Sequence, residues 1–212
     1  MIKRFIAPTL AVVVIVLAGG LAACSQPPLP KDHFYRILIV PPQAAQAAQA
    51  AKTAKTTPRF KGGLEVTRFA VEGITAKLPI VYSAADDPNE VMAYTYHMWT
   101  EAPEAMLSGQ LVNYLRAAKI ADKVVTPESR IDAAYIVSGR IKRFERITGD
   151  ASKGLVFLEL SLRESKNNKL IYMNTYRAEV DASKDGVSGA VAALGKGVAQ
   201  IFARFTADIA GK

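Results

Sequence analysis

The residues with the clearest chemical potential are Leu21–Cys24, which contain the only cysteine of the 212-residue chain. An almost entirely apolar run, Ile6–Ala18, precedes them and follows a start that carries Lys3 and Arg4. This length is typical of the core of a signal peptide and is shorter than the roughly 20 residues that a transmembrane helix requires. The small residues before the cysteine fit a signal-peptidase groove. The thiol of Cys24 is therefore the predicted site of processing and modification.

The order leucine, two small residues and cysteine resembles the bacterial lipobox. In proteins with that signal, the thiol receives a diacylglyceryl group before cleavage, and the new amino terminus gains a further chain such as palmitate. The resemblance implies that residues 1–23 are a lipoprotein signal peptide and that Cys24 carries the lipid. Two or three chains would hold a protein on a membrane, whereas one chain binds reversibly. An ordinary secretory signal cut near Ala23, or a single transmembrane anchor, remains an alternative.

Residues 24–33 form a predicted lipidated amino terminus and tether. Three prolines between residues 27 and 30 favour an extended backbone, which rises about 3 Å per residue. By resemblance to enterobacterial lipoproteins, Ser25 directly after the cysteine implies sorting to the outer membrane, with the protein on its periplasmic face. An aspartate at that position would imply retention at the inner membrane.

The net charge of the chain indicates the kind of partner that it would bind. The chain has a formal charge of +8, and removal of Lys3 and Arg4 with the signal peptide leaves +6. Such a balance favours anionic partners, which in the periplasm are lipid headgroups or acidic protein surfaces more than nucleic acid. Acylation of Cys24 would leave no thiol for a disulfide or for a cysteine-type zinc site.

The sequence offers few groups for catalysis. Its only histidines are His33, next to the tether, and His97, beside an aromatic cluster, and no Gly-x-Ser-x-Gly elbow is present. The glycines of residues 189–197 have the wrong spacing for a phosphate loop, and the acidic residues 86–90 do not match a calcium loop. We therefore predict a protein that is not an enzyme and has no cofactor or metal, although a triad assembled in space stays open.

Two groups of residues are candidates for a partner interface. Arg140, Lys142 and Arg143 crowd one predicted strand and could meet anionic headgroups or an acidic partner, or could be a solvated strand face. Trp99 follows an aromatic strand and could lie either in the core or at a protein interface, where tryptophan is enriched.

The elements that must position these residues follow from hydrophobic periodicity. The predicted strands cover residues 34–40, 64–69, 80–82, 91–96, 123–125, 134–144, 155–162 and 169–180. One amphipathic helix begins near Glu101–Glu104, and a second covers residues 187–209. The predicted fold is α/β, with a mixed, mostly antiparallel sheet and two main amphipathic helices packed on it. Residues 34–212 form a single domain, with a low-complexity insertion at about 43–61.

The order of several motifs resembles the ABC-type transport auxiliary lipoprotein family, the PqiC-like proteins. An Ile-Val-Tyr strand at residues 80–82 is followed by Tyr94, Trp99 and a proline that leads into a helix. The strand Tyr135–Glu145 and the opening strand Phe34–Leu38 also match the family pattern. The chain departs from it at Ser83, where the family often has arginine, and in the insertion.

This resemblance implies a non-enzymatic accessory subunit. Family members accompany a permease, an ATPase and an MCE-domain protein whose rings or tubes carry phospholipids or other hydrophobic molecules across the periplasm. The lipoprotein would dock the tube at the outer membrane, and assembly as a homo-oligomeric ring would match the tube. A structural or regulatory outer-membrane lipoprotein that contacts cell-wall or outer-membrane assembly machinery remains the alternative.

Overall fold

The computed structural model describes residues 30–39 and 58–212. The predicted lipidation site Cys24 and most of the predicted insertion lie outside the described residues. The longest strand among the described residues is β6 (Tyr135–Thr148). It organises the sheet because it pairs with other strands along both of its edges. On one edge it runs antiparallel to β7 (Lys153–Glu164), which in turn runs antiparallel to β8 (Leu170–Asp181).

The other edge of β6 is shared by two shorter strands. β2 (Leu64–Val66) lies parallel to its first half and β3 (Pro79–Ala84) lies parallel to its second half. The two-residue β5 (Val124–Val125) continues the sheet beyond β2. Beyond β3 lie β4 (Met92–Trp99), antiparallel, and then the edge strand β1 (His33–Tyr35), parallel.

Two helices cover one side of this sheet. α1 (Pro103–Ala117) begins with a proline, whose missing N–H costs nothing in the first turn, and with Glu104, whose charge suits the helix amino terminus. α2 (Val187–Ala210) packs on β7 and β8. Two short 3₁₀ segments cover Gly73–Ala76 and Pro127–Ser129.

Alternation along β7 defines the two faces of the sheet. Val156, Leu158, Leu160 and Leu162 are fully buried, and we call their side, which the helices cover, the inner face. The residues between them lie on the outer face. The backbones of β7 and α2 approach so closely that a Cβ on Gly154 would lie 2.6 Å from the amide nitrogen of Leu194. Only glycine allows this approach.

The predicted α/β fold, with a mixed sheet and two packed helices, is confirmed, and its two longest ladders are antiparallel. The first predicted strand, 34–40, is wrong in length because β1 ends at Tyr35. Residues 36–39 leave the sheet, and Ile37 enters the core near Gly195 of α2. β6 extends four residues beyond the predicted end. The loop between β7 and β8 contains Asn168, which adopts a φ of 56°.

Candidate binding surfaces

A bulge in β6 decides where its cationic side chains point. The pairing with β7 shifts by one residue between Ile141 and Arg143. Ile141 and Phe144 therefore both reach the core although three positions separate them, while Arg143 and Glu145 lie on the outer face. A strict two-residue period would have placed Arg143 inward. The spacing of three between the apolar residues is the sequence signal that would have revealed the bulge.

Arg140 precedes the bulge and Lys142 lies within it, and each is paired with a carboxylate. The Arg140 Nη1 lies 2.9 Å from the Glu72 Oε1, with both side chains well exposed at 49% and 85%. The Lys142 Nζ lies 3.3 Å from the Glu159 Oε2 and 6.0 Å from the ring centroid of Phe157. These two predicted interface residues thus belong to a mixed-charge surface.

Arg143 takes part in a buried network instead. Its Nε donates to the Glu145 Oε1 at 2.8 Å, and its Nη2 pairs with the same oxygen. The Ser83 hydroxyl also donates to that oxygen at 3.2 Å. Glu145 and Ser83 are 3% and 0% exposed, so the carboxylate depends on these donors for the hydrogen bonds that water would supply. Ser83, the departure from the family pattern, therefore has a structural role here.

Trp99 belongs to the core. It is 1% exposed, and its ring stacks on Phe144 with 5.2 Å between centroids. A buried ring cannot contact a partner, so the interface assignment of Trp99 is wrong and the core alternative is correct. The physical reason is that the apolar indole closes the inner face where β4 ends and the chain turns toward α1.

The parallel register of β1 and β4 brings the two histidines together. His33 is paired with His97, and their rings stack with 5.0 Å between centroids. The Tyr35 hydroxyl lies 2.9 Å from the His97 Nδ1. Burial lowers the pKa of His97, and the positive charges of His33 and Arg146 lower it further. Sequence analysis missed this pair because parallel pairing of two distant segments leaves no local signal.

Aromatic rings continue from this pair toward β3. Tyr94 contacts the His97 ring edge-on at 5.3 Å, and Tyr82 lies 4.4 Å from Tyr94 between ring centroids. The Arg146 Nη1 donates to the Tyr94 hydroxyl at 2.7 Å. This polar aromatic cluster borders the hydrophobic core, against which Tyr94 packs.

A hydrogen-bonded group joins the end of α2 to β8. The hydroxyls of Tyr172 and Tyr176 donate to the Asp208 Oδ2 at 2.7 and 2.6 Å. The hydrogen bonds from Tyr176 and Tyr172 lower the pKa of Asp208. Each tyrosine hydroxyl has the Asp208 carboxylate as its hydrogen-bond acceptor, which indicates a structural role for this group.

A shallow groove of about 470 Å³ lies between residues 36–39 and α2. Its lining is mainly apolar, with Arg36 and Lys196 among the lining residues. In the described residues, no group of three or more histidine, cysteine, aspartate or glutamate side chains could hold a metal ion. None of the helices in the described ranges combines the length and the apolar character needed to cross a bilayer.

The sequence match that decides the family is broad. The family model for the ABC-type transport auxiliary lipoprotein component matches residues 43–209. The chain belongs to this family. The predicted resemblance is therefore confirmed. A search of curated proteins gives no match.

Two solved structures share the fold of this family member, and a third is more distantly similar. Protein XCC0632 from Xanthomonas campestris, of family DUF330, has a TM-score of 0.69 and 16% identity over 84% of this chain and 96% of its own. A crystal structure of an uncharacterized protein has a TM-score of 0.64 and 17% identity over 85% and 99%. A PelC dodecamer from Paraburkholderia phytofirmans has a TM-score of 0.47 and 16% identity over 71% and 90%. Identities this low speak to the fold alone.

Family membership gives the coarse function: an auxiliary lipoprotein component of ABC-type transport. The matched range begins after Cys24, so lipidation of this cysteine remains a prediction from the lipobox. Of the predicted interface residues, Arg140 and Lys142 lie together on the outer face with accessible charges, whereas Arg143 is held in its network and Trp99 is buried.

Proposed function

We propose that this protein is a lipid-anchored periplasmic accessory subunit of an ABC/MCE-type transport system. It docks the MCE assembly that crosses the periplasm at the outer membrane, and the system carries phospholipids or other hydrophobic molecules. The family match over residues 43–209 carries this proposal. The lipobox at Cys24 supports the anchor, and Ser25 supports the outer membrane.

The role we propose is binding, not catalysis. The polar clusters of the described residues support it, because their members are engaged with one another. Arg143 and Ser83 hold the Glu145 carboxylate, Tyr172 and Tyr176 hold Asp208, and Tyr35 contacts His97. A catalytic acid or base must instead have a free path to a substrate proton.

The outer face around Arg140 and Lys142 is the surface that we propose for the partner. Exposed ion pairs contribute only about 0–1 kcal/mol, so an acidic partner can replace Glu72 or Glu159 at little cost. Arg143 cannot exchange in this way, because its departure would leave the buried Glu145 carboxylate without its counter-charge. The proposed contact is therefore centred on Arg140 and Lys142. Arg143 stays paired with Glu145 and does not contact the partner.

Site-specific photo-crosslinking tests this surface. A photoreactive residue at position 142 should crosslink to the MCE-domain protein in intact cells, and the double variant Arg140→Glu, Lys142→Glu should weaken capture of that protein. Lys184, an exposed cation before α2, gives the matched control position and the control variant Lys184→Glu. Equal crosslinking at positions 142 and 184, or crosslinks only to cell-wall or assembly proteins, would contradict the proposal.

We also propose a homo-oligomeric ring, as the resemblance to the family implies. The native mass of the detergent-solubilised, acylated protein should then be a multiple of the protomer mass at micromolar concentration. A monomeric mass under these conditions would exclude a stable ring.

A further inference from the structure

Burial alternates along Phe34–Ile39, the first described segment after the proposed anchor. Phe34 and Leu38 are 61% and 75% exposed, the highest values among the exposed large hydrophobic side chains of the described residues. Arg36 between them is also exposed, whereas Tyr35, Ile37 and Ile39 are turned toward the protein. One side of this segment therefore presents an aromatic ring, a guanidinium and an aliphatic side chain to the outside.

The inward side chains fix this segment to the body. The Tyr35 carbonyl accepts a hydrogen bond from the Thr100 N–H at 2.9 Å, and its hydroxyl lies 2.9 Å from His97. Ile37 is 2% exposed and is part of the hydrophobic core. Phe34 and Leu38 are thus exposed on a backbone that is fixed to the rest of the protein, so their exposure is not the result of fraying.

Chain length limits how far this segment can lie from the lipid. Phe34 is ten residues and Leu38 fourteen residues after Cys24. A fully extended chain spans at most about 3.6 Å per residue, so Phe34 lies no more than about 36 Å from the anchor. Within the described residues, this segment is among those that the anchor holds closest to the bilayer along the chain.

We propose that Phe34, Arg36 and Leu38 form a membrane-contacting edge that seats the body on the bilayer that holds its anchor. Aromatic and aliphatic side chains next to cations are typical of protein surfaces that lie in the lipid headgroup region. Arg36 pairs with lipid phosphate, and the net positive charge of the chain, +8, favours an anionic surface as its partner. This inference rests on the proposed acylation of Cys24.

Single cysteine variants test the membrane-contacting edge in the acylated full chain. Since Cys24 is the only natural cysteine and acylation occupies its thiol, Phe34→Cys and Leu38→Cys each introduce one reactive thiol. Each would carry an environment-sensitive fluorophore in vesicles of phosphatidylethanolamine and phosphatidylglycerol. Leu170→Cys is the matched control because Leu170 is 55% exposed but lies on β8.

The expected result separates the two surfaces. Labels at positions 34 and 38 should shift to shorter emission wavelengths on membrane insertion, lose most emission to a lipid-borne nitroxide and resist iodide in water. The label at position 170 should show the opposite quenching. The charge reversal Arg36→Glu should reduce lipid quenching at position 34.

Three outcomes would overturn the inference. Iodide quenching at positions 34 and 38 equal to that at position 170 would show that the edge faces water. Protection that appears only at high protein density would assign it to a second copy of the chain. If only one of the labels at positions 34 and 38 is protected from iodide, the two residues do not form a continuous edge. Mass spectrometry shows whether Cys24 is acylated. If it is acylated, the three outcomes above reject only the membrane-contacting edge. If it is not, the proposed function itself is contradicted.

Discussion

The two faces of β7 differ in burial and in the charge of their side chains. On the inner face, Leu158 and its neighbours at every second position are fully buried under α2. On the outer face, Phe157 and Glu159 are half-buried, and Glu159 holds Lys142 across to β6. The inner face leaves no surface for a partner, whereas the outer face presents charges whose pairs are weak. Recognition is therefore expected on the outer face.

The outer face is itself divided. Near the bulge its ion pairs are exposed, but toward β3 the Glu145 carboxylate and Ser83 are buried. Burial makes the same chemistry much more important for stability, because an unpaired charge cannot be hydrated there.

The largest effect is expected from Leu158→Ala on the inner face. The variant removes a fully buried side chain and leaves a cavity, which should lower the free energy of unfolding by about 3 kcal/mol. Leu170→Ala, at a position that is 55% exposed, is the same change outside the core and should cost about 0.5 kcal/mol or less. Urea unfolding of the two variants measures the difference, and equal losses would contradict the assignment of the inner face.

Glu145→Gln against Glu159→Gln separates the two parts of the outer face. The first change leaves the Arg143 guanidinium without its carboxylate and should cost about 2 kcal/mol. The second breaks a partly exposed pair and should cost about 0.5 kcal/mol. Chemical denaturation with both variants provides the comparison. A loss at Glu159 as large as that at Glu145 would show that burial does not govern this face.

Asp208→Asn should have an intermediate to small effect, about 1 kcal/mol, because two tyrosine hydroxyls lose a charged acceptor. The lowered pKa of Asp208 means that its stabilisation is present at neutral pH and is lost as pH falls through that lowered value. Acid unfolding of the variant should therefore lack this contribution. Asp150→Asn, in an exposed turn, is the control and should follow the wild type.

The smallest effect concerns pH and the His33–His97 pair. Because the pKa of His97 lies below its ordinary value of 6.5, the unfolded chain binds this proton more readily than the folded one. Stability should therefore fall as pH drops below about 6.5 and level off below the lowered pKa. Melting temperatures at pH 7.5 and 5.0 measure this.

Two variants sharpen the pH prediction. His97→Gln should flatten the dependence of melting temperature on pH over this range. His33→Gln should flatten it only in part, because burial, the larger cause of the shift, remains. An unchanged slope in His97→Gln would show that the pair does not control this dependence.

The parts of the fold that sequence could predict are those with local periodicity. Alternation at residues 156–162 and the helical spacing from Val187 to Ile209 correctly predict β7 and α2. The position of Trp99 could not be decided in this way, because an aromatic residue at a strand end suits a core and an interface equally.

Contacts between distant segments were beyond local patterns. The pairing of His33 with His97 depends on a parallel edge register, and the Arg143–Glu145–Ser83 network depends on the bulge in β6. A bulge reverses the faces of all residues that follow it, so strict alternation misplaces them. Lipidation of Cys24 stays a prediction, and it rests on a linear motif that needs no contact between distant segments.

The most direct test of the central claim is native co-purification of the acylated full chain from membranes of the source bacterium. We expect a permease, an ATPase and an MCE-domain protein to be recovered together with it, and the protein to remain in the outer-membrane fraction. Recovery of none of the three, with penicillin-binding or outer-membrane assembly proteins in their place, would contradict the proposed function.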